Sequence, residues 1–145
     1  MKKDLSLFLS LALIAALLPA SAASAADAAQ DAADRLVYYE IMKGSDIGLE
    51  LDRQPTRLEA ALMILRLSGL GYTAENDEVL RNPFTDLPGW AKKQVAAAYS
   101  FGLTHGVSET TFDCDSPVSA AQFVTMGLRA LQYDDAYGAF DWDSP

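Results

Sequence analysis

The chain has 145 residues, half of them apolar and 21% charged, which is the composition of a folded chain and not of a disordered one. Its length allows one domain or two very small repeats. A net charge of −9 and a pI near 4.4 exclude a duplex nucleic-acid partner, because no basic field exists to displace counterions from phosphates. An anionic ligand would need a local cationic pocket.

Residues 1–26 read as a secretory signal peptide. Lys2 and Lys3 form a basic start, Leu5 to Leu18 is almost wholly apolar, Pro19 breaks the run, and small residues follow. The run is short for a membrane span. Small residues three positions upstream place cleavage after Ala25 or Ala26, and no cysteine at the junction marks a lipid anchor. Cleavage would leave nine basic and nineteen acidic residues, a net charge of −10. The exported remainder carries one cysteine, Cys114, so no internal disulfide can form and packing must supply stability.

Residues 27–33 are rich in Ala and Asp and read as a linker. Asp34 to Lys43 has the pattern of a short amphipathic helix, with Gly44 as its stop. After a loop from Ser45 to Gln54, a helix is expected from about Arg57 to Leu67, ending near Gly69 or Gly71. Residues 73–82 are a polar connector. Pro88 and Gly89 mark a turn before a helix opened by Trp90, whose expected core stripe is Trp90, Gln94, Ala97, Ala98 and Phe101, with Val95 and Tyr99 beside it and Lys92 and Lys93 facing away. Gly102 is its expected cap. A loop follows from Thr104 to Pro117, then a helix from about Ala120 to Leu131. No strand pattern is present.

The two halves are alike. Thr56 aligns with Ser119, Glu59 with Gln122, Met63 with Met126, Leu65 with Leu128 and Arg66 with Arg129. The expected organisation is an all-α chain of tandem helix–loop–helix repeats, 34–72 and 83–133, packed into a small helical bundle. Residues 134–145 would start a further, truncated unit containing Trp142. One such hairpin has too little core to stand alone. Thr56 with Glu59 and Ser119 with Gln122 have capping-box spacing, and Val118 with Phe123 has the spacing of a hydrophobic staple.

Arg57 is not explained by the cap. It aligns with Ala120, and a cation is disfavoured at the positive end of a helix dipole. Two roles are open to it: pairing with Glu59 or a nearby aspartate, or completing an anion site beside free helix amides.

These residues resemble the S-layer homology family over roughly Arg35 to Tyr133. "PTRLEA" at 55–60, "FTD" at 84–86, "WA" at 90–91, "GLTHG" at 102–106 and "TTF" at 110–112 stand in the family's order before "VSAAQ". The resemblance implies a helical, non-enzymatic module on the bacterial cell surface. Such modules bind secondary cell-wall polysaccharide, pyruvylated sugars included, and anchor a protein non-covalently to the wall. It implies that Arg57 meets a ligand carboxylate, that Trp90 offers a face to a sugar, and that Gly106 permits close backbone approach. It further implies that three repeats form the bundle, so that either a continuation of the natural protein or self-association would complete this one. Ala120 and Gln122 replace the arginine and glutamate of the second motif, and the first half lacks the Phe-x-Asp and Trp opening. A degenerate scaffold for protein–protein assembly is the alternative reading.

Little catalytic chemistry is present. His105 is the only histidine, and no metal-binding spacing of His and Cys, Gly-x-Ser-x-Gly motif or phosphate loop occurs. Neither a metal nor a cofactor is expected. A His105–Cys114 pair lacks an orienting third group. Asp113 and Asp115 lack the glycine and terminal glutamate of a calcium loop and read as solvated carboxylates. Trp90 suits either a core anchor or a sugar platform.

Overall fold

The computed structural model describes residues 20–76, 80–133 and 135–141. Residues 1–19 of the segment expected to be a signal peptide, and the tail holding Trp142, lie outside the described residues. The fold is all-α. Its helices are α1 (Ala20–Tyr38), α2 (Arg57–Leu67), α3 (Gly71–Asn76), α4 (Lys92–Ser100) and α5 (Ala120–Ala130), with 3-10 turns at Gly89–Ala91 and Asp135–Tyr137. Among the described residues there is no strand, and no helix is long and apolar enough to cross a membrane. The chain divides into two compact units, one ending at Leu51 and the other beginning at Asp52. That boundary falls inside the segment 34–72.

In the first unit the expected linker at 27–33 is helical. Helix α1 runs unbroken from Ala20 to Tyr38. Alanine is the strongest helix former, and i,i+4 contacts from Gln30 to Asp34 (2.8 Å) and from Arg35 to Asp31 (2.8 Å) bridge the join. The helix also stops earlier than Lys43. Glu40 takes φ +57°, the Ile41 amide donates to the Leu36 carbonyl (2.9 Å), and the Glu40 amide donates to Val37 (2.9 Å). That is a Schellman motif with Glu40 in the left-handed place expected of Gly44.

In the second unit α2 packs on α4 and α5, and α3 packs on α4. Leu58, Leu62 and Leu65 of α2, Val95 and Ala98 of α4, and Met126 of α5 share one core with Phe84, Leu103, Phe112 and Val118 from the loops. Both capping boxes are formed. The Glu59 amide donates to Thr56 Oγ1 (3.2 Å) while the Thr56 amide donates to Glu59 Oε2 (2.8 Å). Ser119 and Gln122 make the same exchange at 3.2 and 3.1 Å. Val118 is buried and Phe123 packs against the same core.

The expected stripe on α4 holds at Ala97 and Ala98, with Val95 beside them, and is corrected at its two aromatic ends. Trp90 is 66% exposed and Phe101 48%, while Ala91, Val95 and Ala98 are buried. Residues 89–91 form a 3-10 turn instead of a first α-turn. Its tighter winding puts Ala91, not Trp90, in phase with Val95 and Ala98.

Helices α2 and α5 differ in burial. Seven of the eleven residues of α2 are buried, but only Thr125 and Met126 of α5. Ala61 is 2% exposed whereas its counterpart Val124 is 46% exposed. Helix α2 lies against both α4 and α5, and α5 packs chiefly on α2. An Arg129–Asp135 pair (2.8 and 2.6 Å) ties the last 3-10 turn to α5.

Candidate functional site

Arg57 opens α2 and, among the described residues, is the only buried cation, at 7% exposure. Its Nη2 donates to Thr104 Oγ1 at 3.3 Å, and its guanidinium carbon stands 5.3 Å from the centre of the Phe112 ring. Thr104 is 1% exposed and Phe112 is fully buried. Arg57 Nε has no acceptor, and among the described residues no carboxylate lies within ion-pair distance of this side chain. Burial pushes its pKa down, the Asp113 carboxylate acts against that, and the Arg129 guanidinium adds to it.

The pairing of Arg57 with Glu59 does not occur. Glu59 is occupied by Arg53, whose Nη1 donates to Oε2 at 2.7 Å, and by the Thr56 amide. The bonds from Arg53 hold the Glu59 carboxyl below its usual range, against a smaller upward push from burial.

The helix amides beside Arg57 are not free either. The Arg57 amide donates to the Ser116 carbonyl (2.9 Å), and the Leu58 amide donates to the Cys114 carbonyl (3.2 Å). The Glu59 amide is used in the cap. The whole first turn is satisfied by the cap and by the loop 113–117 laid across it. The anion site expected from helix amides is therefore closed, and the positive charge there comes from the Arg57 guanidinium, with Arg129 near enough to act on it. On α5 the matching amides of Ala120 and Ala121 have no acceptor among the described residues.

Asp86 sets the shape of that loop. Its Oδ1 accepts from the Phe112 amide (2.9 Å), its Oδ2 from the Asp113 amide (2.7 Å), and its carbonyl accepts from the Cys114 thiol (3.6 Å). Asp113 is thereby held at φ +68°. Its carboxylate accepts from Ser116 Oγ at 2.8 Å. The chain thus delivers the Phe112 ring to Arg57 and two carbonyls to α2. Cys114 is buried, and its burial, with Asp86 and neighbouring acids, raises the thiol pKa. His105 is exposed, and no described contact joins it to Cys114.

Nine residues of α4, about 13 Å of helix rise, separate the exposed Trp90 from the turn that carries Thr104. Gly106 has φ +77°, and a Cβ there would strike the Phe84 ring and stand 2.8 Å from the Thr111 carbonyl. The space into which a Gly106 side chain would point is filled by the protein's own core, so packing by itself accounts for a glycine there. Thr104, Phe112, Asp86 and Asp113 were not legible as parts of the Arg57 environment. The signal for Asp86 was the Phe-x-Asp motif, whose aspartate had no local partner to explain it.

Residues 83–124 match the model of a family described as S-layer homology domain. A cell surface protein of Thermoanaerobacter kivui is 32% identical over 111 residues, covering 74% of this chain and 14% of that protein. An endoglucanase of Bacillus sp. (strain KSM-635) is 32% identical over 78 residues, covering 54% of this chain and 8% of that protein. The chain thus spans less than a sixth of either relative. No solved structure matches it.

Proposed function

Residues 83–124 belong to the S-layer homology domain family, and from that premise we propose that this chain is a non-enzymatic module that attaches to the bacterial cell wall by binding its polysaccharide. The reading includes export by residues 1–26, repeats at 34–72 and 83–133, and contact between Arg57 and a carboxylate of the glycan. Trp90, largely exposed, is free to lie against a sugar at a second point.

The observation that carries this reading is the environment of Arg57. A guanidinium taken out of water without a carboxylate costs stability. Stacking on Phe112 and one bond to Thr104 offset only part of that cost. Such an arrangement suits a charge kept for an anion from outside the protein.

The test uses the full exported chain, sedimented with cell-wall sacculi that retain or lack the secondary polysaccharide. Wild type should be retained only when the polymer is present. Arg57→Met should lose retention more than tenfold while its thermal stability stays level or rises by about 1 kcal/mol. Equal retention with and without the polymer, or an unaffected Arg57→Met, would sink the proposal.

The half-open face of α5 favours a second reading, assembly with another copy of this chain. Val124, Leu128 and the amides of Ala120 and Ala121 are left without the cover that their counterparts on α2 receive. Light scattering should then show a concentration-dependent oligomer that Val124→Glu returns to monomer. A wild-type monomer throughout the micromolar range would contradict it.

A further inference from the structure

We propose that Asp113 is a specificity-determining residue: a fixed internal negative charge beside Arg57 that weakens anionic ligands and so restricts which of them the site holds. The inference rests on the reading of Arg57 as the ligand's contact.

Three connections fix Asp113 in this place. It directly follows Phe112, whose ring faces the Arg57 guanidinium. Its amide is held by Asp86 Oδ2 at 2.7 Å. Its carboxylate accepts from Ser116 Oγ at 2.8 Å, and the Ser116 carbonyl accepts from the Arg57 amide at 2.9 Å. Asp113 is therefore held in the loop that carries the Phe112 ring to Arg57, near enough for its charge to act on the guanidinium against that of Arg129 but outside ion-pair distance, so it lowers the local potential without filling the guanidinium's hydrogen bonds. Nε, buried, has no acceptor among the described residues, so the hydrogen-bonding capacity of the guanidinium is not used up inside the protein. A ligand carboxylate at Arg57 would gain from the guanidinium and lose part of that gain to Asp113. Binding then needs directed bonds to the guanidinium, and charge alone is not enough. This favours a carboxylate presented on a rigid sugar over a diffuse polyanion.

The substitution Asp113→Asn isolates the charge. Asparagine is tolerated at φ +68°, and its side-chain oxygen can still accept from Ser116 Oγ. Asp115→Asn removes an equal charge from an exposed residue two positions away and serves as the control for net charge.

Affinity for polysaccharide-bearing sacculi is measured for the full chain against salt concentration. A parallel series uses sacculi whose carboxyl groups have been reduced to alcohols. Asp113→Asn should bind native sacculi about fivefold more tightly, with a steeper loss on added salt. On carboxyl-reduced sacculi it should match wild type. Asp115→Asn should change affinity less than twofold. Unchanged or weaker binding by Asp113→Asn, with Arg57→Met still inactive, overturns the role of Asp113 and leaves Arg57 standing. An equal gain from Asp115→Asn overturns it too, as a net-charge effect. Full binding by Arg57→Met overturns both this inference and the reading beneath it.

Discussion

Gly106→Ala is expected to destabilise the second unit by about 3 kcal/mol, which lowers the melting temperature on the order of 15 °C. Two costs combine. A side chain at φ +77° carries about 1 kcal/mol of left-handed strain. The new Cβ also enters space held by Phe84 and by the Thr111 carbonyl. Neither neighbour can yield cheaply. The Phe84 ring is 5% exposed and packs against Tyr99 and Phe112, with centroids 5.4 Å away in each case. The Thr111 carbonyl accepts from the Val107 amide (2.9 Å) and the Ser108 amide (3.2 Å). Gly102→Ala is the control, because φ there is +73° but nothing lies within 4 Å of the added carbon. It should cost about 1 kcal/mol. Thermal unfolding by circular dichroism separates the two variants. Equal losses would show that strain alone matters and that Phe84 does not lock this turn.

Asp86→Ala is expected to cost about 2 kcal/mol at neutral pH. Each hydrogen bond from an amide to a carboxylate contributes about 1.5 kcal/mol or more, and exposure of Asp86 to water reduces the sum. The effect also reaches beyond Asp86. Phe112, Asp113 and the Cys114 and Ser116 carbonyls lose their common anchor, so the start of α2 is uncovered. Asp86→Asn should lose about half as much, because it keeps one acceptor but sets an amide donor against another donor. The pH dependence has a definite sign. Burial pushes the Asp86 pKa up, but the Phe112 and Asp113 amides outweigh it and hold the folded-state pKa below its usual value. Its contribution is therefore complete above about pH 4, the unfolded value, and is lost as pH falls through the folded pKa. Urea unfolding at pH 7 and pH 3 should show wild type and Asp86→Ala converging at the lower pH. A gap that stays constant would mean that the carboxylate charge is not what holds the loop.

The sequence by itself determined the features that depend on residues within about four positions of one another. Thr56 with Glu59 and Ser119 with Gln122 are complete capping devices in one helical turn, so the helix starts were readable. The end at Gly102 was readable, and that of α2 was narrowed to Gly69 or Gly71, because glycine takes the left-handed place readily; Gly69 takes it. The likeness of the two halves was readable for the same reason, as it repeats local signals. Local spacing already misled where two local signals compete, as at Glu40, where a non-glycine residue ends α1.

Only the tertiary structure decided what surrounds each functional candidate. Arg57 could have met Glu59, two positions along the same helix. Instead Arg53 takes Glu59, and Arg57 turns to Thr104, 47 residues away. Trp90, which the helical stripe put in the core, is turned to solvent, and Gly106 packs against Phe84. The physical reason is common to all three. A cap or a helical period is fixed by bonds inside one turn, whereas burial, charge pairing and the space beside a glycine are fixed by whichever distant segment folds against it.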